Sequence, residues 1–103
     1  MTVAMVGFTE QDYPALCGAM EKLISDSQCF LFNVLASAGS IGEKWARQFG
    51  APLIYPSGQG LEVLMKEADY FMINNDGSPQ MHRLIFKIMQ SGKHGTIMGK
   101  EYK

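Results

Sequence analysis

The chain has 103 residues, of which 47% are hydrophobic and 18% are charged, and this composition favours one packed domain over a disordered chain. Nine Lys and Arg against ten Asp and Glu give a formal net charge of -1, so no excess positive charge would attract a nucleic-acid backbone. No apolar run approaches the roughly 20 residues that cross a bilayer. We therefore expect a single domain over residues 1–103, with neither a nucleic-acid partner nor a membrane partner.

The N-terminus, the cysteines and the histidines carry three further expectations. Residues 1–8 are apolar but lack the basic flank and long apolar core of a secretion signal, so we expect a cytoplasmic protein. Cys17 and Cys29 lie in apolar patterns, which are typical of buried free thiols. His82 and His94 are isolated from each other and from the cysteines, so neither a metal ion nor another cofactor is expected.

In the N-terminal half, apolar runs alternate with stretches of helical periodicity. Residues 2–8 form a near-continuous apolar run, typical of a strand covered on both faces. Thr9 or Asp12 can cap a first helix that ends near Ser25, and Gly50 is placed to end a second helix with a positive φ. The predicted strands of this half are residues 2–8, 29–35 and 52–55, with the two helices between them.

The C-terminal half continues the same alternation. A helical stripe over residues 61–68 precedes an apolar strand at residues 70–74, and a second stripe over residues 81–89 precedes a strand at residues 95–99. Strict alternation of strands and helices predicts an α/β fold: one Rossmann-like domain whose five-stranded, mainly parallel sheet carries helices on both faces. We expect the strand order 3-2-1-4-5, with the topological switch point between the first and fourth strands.

Three loops rich in small and polar residues are expected to meet at that switch point. Small residues let backbone N–H groups approach a phosphate, and a helix N-terminus adds a favourable dipole, although ordinary turns use the same residues. The candidate ligand-binding residues are Gly7, Phe8, Thr9, Ser37, Gly39, Ser40, Asp76, Gly77, Ser78 and Arg83.

Candidate catalytic side chains are few. Glu10 and Glu43 are the carboxylates nearest the expected site, where each could bind a ribose or act as a general base, or serve only as a surface or capping residue. Arg83 could pair with a phosphate, or it could lie with His82 on a solvated helix face. Trp45 lies on an apolar helical stripe, which favours packing over base stacking.

Three groups of short motifs follow one another along the chain. They are Val-Ala-Met-Val-Gly at residues 3–7, Glu-Lys-Trp-Ala at 43–46 followed by Phe-Gly-Ala-Pro at 49–52, and Ala-Asp-Tyr at 68–70 with Asp-Gly-Ser at 76–78. In order and spacing they resemble the SLOG superfamily of Rossmann-like nucleotide-binding proteins. That superfamily includes the LOG-type phosphoribohydrolases and the small YspA-like, cpYpsA-related domains, to which this chain is most similar. The resemblance covers most of the chain.

The chain also departs from the family's polar signatures. It has Gly-Phe-Thr at residues 7–9 in place of Gly-Ser-Arg, and residues 33–39 lack the Arg and Asp of the second motif. The family's Arg-Asn pair is missing around residues 60–61, and its Gly-Thr pair is missing near residues 79–80. The resemblance therefore implies binding of a nucleotide or nucleotide-derived ligand at the C-terminal ends of the strands, without turnover.

Two alternatives to a ligand-binding module stay open. One is a nucleoside-phosphate hydrolase similar to the phosphoribohydrolases, and the other is a structural subunit whose site has decayed. SLOG-like domains often bury apolar helix faces against a second copy, and the eight Met residues of this chain can adapt to such a contact. We therefore expect a homo-oligomer.

Overall fold

A computed structural model describes residues 1–27, 32–58 and 60–99 of the chain. Strands and helices alternate along it, with one 3₁₀ turn at Glu10–Asp12. The strands are β1 (Thr2–Val6), β2 (Asn33–Leu35), β3 (Leu53–Ile54), β4 (Tyr70–Asn75) and β5 (His94–Gly99). The helices are α1 (Tyr13–Ser27), α2 (Ile41–Phe49), α3 (Leu61–Glu67) and α4 (Pro79–Gln90).

The sheet has five strands in the order β3-β2-β1-β4-β5, and every neighbouring pair is parallel. This arrangement confirms the predicted α/β class and the predicted strand order. From β1 the chain crosses outward to β2 and β3, and it then returns to place β4 on the other side of β1. The switch point accordingly lies between β1 and β4.

Each face of the sheet has its own apolar core. On one face, Val3, Val34 and Met72 of the strands pack against α1 and α2. On the other face, Ala4, Leu35, Phe71 and Ile73 pack with the residues of α3 and α4. Helices therefore cover both faces, as the alternation predicted.

Trp45 belongs to the core beneath α1 and α2, in agreement with the packing interpretation. The residue is 4% exposed, and its ring centroid lies 5.1 Å from that of Phe49. Cys17 is a free thiol that packs against the same core but is only partly buried. Its position on the flank of α1 explains why it is less covered than the apolar pattern predicted.

Several element boundaries differ from the predictions by a few residues. The first helix begins at Tyr13, because the preceding residues form the separate 3₁₀ turn, and it continues to Ser27 rather than Ser25. The second predicted strand is described only from Asn33 to Leu35; its first residues, Cys29 among them, lie outside the described residues. Gly50 ends α2 with φ 70°, as predicted.

In the described part of the chain, no helix combines the length and hydropathy that crossing a membrane requires. The longest helix, α1, has 15 residues.

Candidate functional site

The loops that follow β1, β2 and β4 lie side by side at the C-terminal edge of the sheet, because these strands are adjacent and parallel. The first loop leads into α1, the second into α2 and the third into α4. The backbone therefore brings together the three segments that carry most of the candidate ligand-binding residues.

The loop after β1 is held tightly against the end of β4. The Asn74 amide Nδ2 donates to the Gly7 carbonyl oxygen at 3.1 Å and to Asp12 Oδ2 at 3.0 Å. The same carboxylate oxygen accepts from the Thr9 backbone N–H at 3.0 Å and from the Thr9 hydroxyl at 2.7 Å. Asp12 thus joins the loop after β1 to the end of β4. Sequence reasoning missed this role, although Thr-x-x-Asp resembles a helix-capping box.

Gly7 makes the close approach between this loop and β4 feasible. Its φ is +83°, and a Cβ at this position would lie 2.4 Å from the Asn74 carbonyl oxygen. Only glycine suits both the left-handed backbone and the short distance.

A second set of contacts joins the loop after β1 to α2. Lys44 Nζ lies 2.8 Å from Glu10 Oε2 and 4.4 Å from the centroid of the Tyr13 ring. The Tyr13 hydroxyl donates to Gln48 Oε1, and burial, together with the neighbouring Cys17 and Glu10, raises the pKa of Tyr13. The Glu10 side chain is 71% exposed, so its ion pair with Lys44 lies at the surface.

Glu43 occupies the N-terminus of α2. Its Oε1 accepts from the Gly39 N–H at 3.2 Å, and its Oε2 accepts from the Tyr55 hydroxyl at 2.6 Å. The Arg47 guanidinium Nε lies 3.8 Å from Oε1. The Tyr55 and Gly39 hydrogen bonds, with a smaller effect of Arg47, lower the pKa of Glu43. An ionised carboxylate therefore sits where the sequence predicted a bound phosphate.

Ser40, the residue before α2, acts as its N-cap, because its hydroxyl accepts from the Glu43 N–H at 3.2 Å. Ser37 is exposed, and its carbonyl oxygen accepts from the Ser40 N–H at 3.2 Å. Gly39 has φ +77°. The loop is therefore a closed turn whose outer surface is formed by Ser37 and Ala38.

The loop before α4 is closed in a similar way. The Gly77 N–H donates to Asn75 Oδ1 at 2.9 Å, and the Ser78 N–H donates to Asp76 Oδ1 at 2.8 Å. The Ser78 hydroxyl accepts from the Met81 N–H at 3.2 Å and caps the helix. The N–H groups of Gly77 and Ser78, which the sequence predicted as phosphate donors, each donate to a side chain two residues earlier.

The remaining candidates contribute less to this edge. Phe8 is partly buried against the core of α1 and α2, so its side chain serves packing. Arg83 is exposed and lies on the side of α4 away from the inward-facing Met81, Leu84 and Ile88. Neither side chain is drawn into the switch point.

The electrostatic character of the edge follows from these contacts. Its loops and helix starts carry four carboxylates, those of Glu10, Asp12, Glu43 and Asp76, whereas Lys44 and Arg47 are the nearby cations that their contacts identify. The edge therefore offers hydrogen-bond acceptors to a ligand's hydroxyl and amino groups, and a phosphate has to displace a carboxylate. Within residues 1–27, 32–58 and 60–99, no group of three His, Cys, Asp or Glu side chains is placed to hold a metal ion.

Comparison with protein-family models, with curated proteins and with solved structures finds no match. The likeness to the SLOG superfamily therefore stays a resemblance carried by the motifs.

Proposed function

We propose that the protein binds a nucleotide-type ligand at the C-terminal edge of its sheet, between the loops after β1, β2 and β4. The observation that carries the proposal is the switch point between β1 and β4. In open α/β sheets ligands bind outside the carboxyl ends of the strands at such a point, where the helices that follow the two neighbouring strands lie on opposite faces of the sheet.

The chemistry of the edge suggests how such a ligand would be held. Ribose hydroxyls are donors and suit the carboxylates of Glu43 and Asp76, which lie at the starts of α2 and α4. A phosphate would take the Gly39 N–H by displacing the Glu43 carboxylate, because both groups are anionic acceptors for the same donor.

Binding without turnover is favoured over hydrolysis because both candidate general bases are engaged. Glu43 accepts two hydrogen bonds and has a lowered pKa, which makes its carboxylate a weak base. Glu10 is paired with Lys44 at 2.8 Å. In the structure both carboxylates thus have other partners, and neither is poised as a general base.

We also propose that the chain is a divergent SLOG-like domain that works in the cytoplasm as a homo-oligomer. The motif order supports the first part, and the absence of a secretion-signal pattern in residues 1–8 supports the second. Large hydrophobic side chains at the surface, such as Phe86 and Met89, support self-association.

A thermal-shift panel tests ligand binding. The probes are the four ribonucleoside monophosphates, the matching nucleosides and inorganic phosphate. A ligand that binds only the folded state raises Tm by mass action, so at least one nucleotide or nucleoside is expected to raise Tm. Because no turnover is expected, the concentration of that compound should remain constant over hours of incubation with the protein. A panel without any shift contradicts binding, and steady loss of a shifting nucleotide contradicts the absence of turnover.

A matched pair of variants ties the shift to the proposed edge. Ser37→Tyr places a large side chain on the exposed loop before α2. Ser25→Tyr places the same side chain near the C-terminus of α1, at the end of the sheet where the strands begin; both serines are exposed. Ser37→Tyr is expected to abolish the ligand-induced shift and Ser25→Tyr to keep it. Valine at Gly39 is a poorer probe, because φ +77° strains any β-branched residue there with or without ligand.

A further inference from the structure

Among the residues that the structure describes, none covers the outer edge of strand β5 or the adjoining flank of α4. Within the described ranges β5 pairs only with β4, so its outer backbone groups face away from the sheet. Gly95, Thr96, Ile97 and Met98 carry neither charge nor proline, although natural edge strands commonly use charges, prolines or bulges to prevent pairing. The outward N–H and C=O groups of β5 can therefore form hydrogen bonds with a further strand.

An apolar flank of α4 lies beside this edge. Phe86 and Met89, which are 60% and 66% exposed, are three residues apart and share one side of the helix. Because crossovers between parallel strands are right-handed, α4 turns that side toward the edge of β5. Ile97, 47% exposed, pairs with the buried Ile73 and so lies on the same face of the sheet as α4.

The other face of β5 is also open. Between α1 and the strands lies a groove of about 540 Å³ that Thr96 and Met98 line together with Ala15, Ala19 and Tyr70. A strand of a parallel sheet is ordinarily covered on both faces. β5 instead has an open edge, a groove on one face and an exposed apolar flank beyond the other.

We infer that two copies of this chain join through β5, antiparallel about a two-fold axis normal to the sheet, to form one continuous ten-stranded sheet. This inference rests on the proposed homo-oligomer and is independent of the ligand. The two-fold axis brings Phe86, Met89 and Ile97 of one copy toward the same residues of the other, and the antiparallel direction keeps the two Lys93 side chains at opposite ends of the seam. We call this contact the β5 seam.

The dimensions fit a second copy better than a lone peptide strand. The seam would be about 20 Å long, since β5 has six residues at about 3.3 Å each. α4 packs mainly on β4, so the two α4 axes would lie about three strand spacings, or about 14 Å, apart. Directly packed helices lie about 8–10 Å apart, and Phe86 and Met89 from both copies fill the remaining space. A peptide would pair with the strand but leave both side chains exposed.

Sedimentation velocity over a concentration series tests the β5 seam. Ile97→Lys and, separately, Met89→Lys place a charge at the seam; Ile54→Lys is the matched control, because Ile54 is 40% exposed on β3, the opposite edge strand. The wild type and Ile54→Lys are expected to be dimers at high micromolar concentration. Each seam variant is expected to raise the dimer Kd by about tenfold or more, since every substitution occurs twice across the two-fold axis.

Circular dichroism checks that each variant is folded, and if Ile97→Lys is unfolded, Met89→Lys decides the test. A monomeric wild type, open-ended assembly, or dissociation by Ile54→Lys but not by the seam variants would overturn the inference. A nucleotide-induced rise in Tm, measured on the same samples, reports on the proposed ligand site separately. Failure of the β5 seam and failure of ligand binding are therefore distinguishable.

Discussion

At the scale of single residues, the carboxylates of the C-terminal edge hold backbone in place. Asp12 fastens the loop after β1 to β4 through Thr9 and Asn74, and Glu43 fastens the loop after β2 to Tyr55. The donors to these carboxylates are backbone N–H groups and the side chains of Thr9, Asn74 and Tyr55. The loops at this edge are thus ordered by the protein's own side chains.

Asp12→Ala is expected to lower the free energy of unfolding by about 1–2 kcal/mol, because three donors, the Thr9 N–H and hydroxyl and the Asn74 amide, lose their common acceptor. Asp26→Ala, which removes an exposed carboxylate in the last turn of α1, is the control and should change stability by less than about 0.5 kcal/mol. Urea unfolding measures both. Equal effects of the two substitutions would contradict the role given to Asp12.

Glu43 gives a pH-dependent prediction. Its pKa in the folded protein lies below the usual 4.5, so the fold favours the ionised form. The resulting stabilisation is fully present above about pH 4.5, the unfolded pKa, and is lost as the pH falls through the folded value. Glu43→Gln is therefore expected to be less stable than the wild type near neutral pH and to approach it in acid.

Urea unfolding of both proteins across this range measures the difference. Glu21→Gln is the control, because Glu21 is an exposed carboxylate on α1. A stability difference between Glu43→Gln and the wild type that is the same in acid and at neutral pH would contradict the ionic role of Glu43.

At the scale of elements, two glycines have opposite requirements. Gly7→Ala should destabilise by more than about 2 kcal/mol, because the residue has φ +83° and its Cβ would meet the Asn74 carbonyl oxygen at 2.4 Å. Gly18→Ala should stabilise by about 0.5–1 kcal/mol, because Gly18 lies within α1 and a Cβ there meets nothing within 4 Å. Thermal unfolding of the two variants should shift Tm in opposite directions. A Gly7→Ala variant whose Tm is unchanged or raised would contradict the close contact described between the loop after β1 and β4.

Periodicity predicted the elements well where burial decides their position. The apolar runs of β1 and β4 and the stripes of α2 and α4 lie where the pattern placed them, because both cores need those side chains. Boundaries were less predictable. Thr9 was recognised as a possible helix cap, but whether residues 10–12 form a 3₁₀ turn or the first turn of α1 depends on Asp12 reaching Asn74, 62 residues away.

At the scale of the whole molecule, alternation of strands and helices sufficed to predict the sheet order and the switch point. The partners at the site were not predictable in the same way. Contacts between near neighbours, such as Ser40 with Glu43 and Asp76 with Ser78, follow from known capping and turn chemistry. Contacts such as Lys44 with Glu10, 34 residues apart, exist only once the sheet has formed.

The central claim is that a nucleotide-type ligand binds at the C-terminal edge of the sheet, and an NMR titration of backbone amides tests it most directly. With the nucleotide that gives the largest rise in Tm as the probe, the amides of Gly7, Ser37, Gly39 and Gly77 should show the largest shift changes, since these loops surround the switch point. Amides on β5 and in the last turns of α1 should change little. Saturable changes confined to β5 and α1, or no saturable change, would contradict the claim.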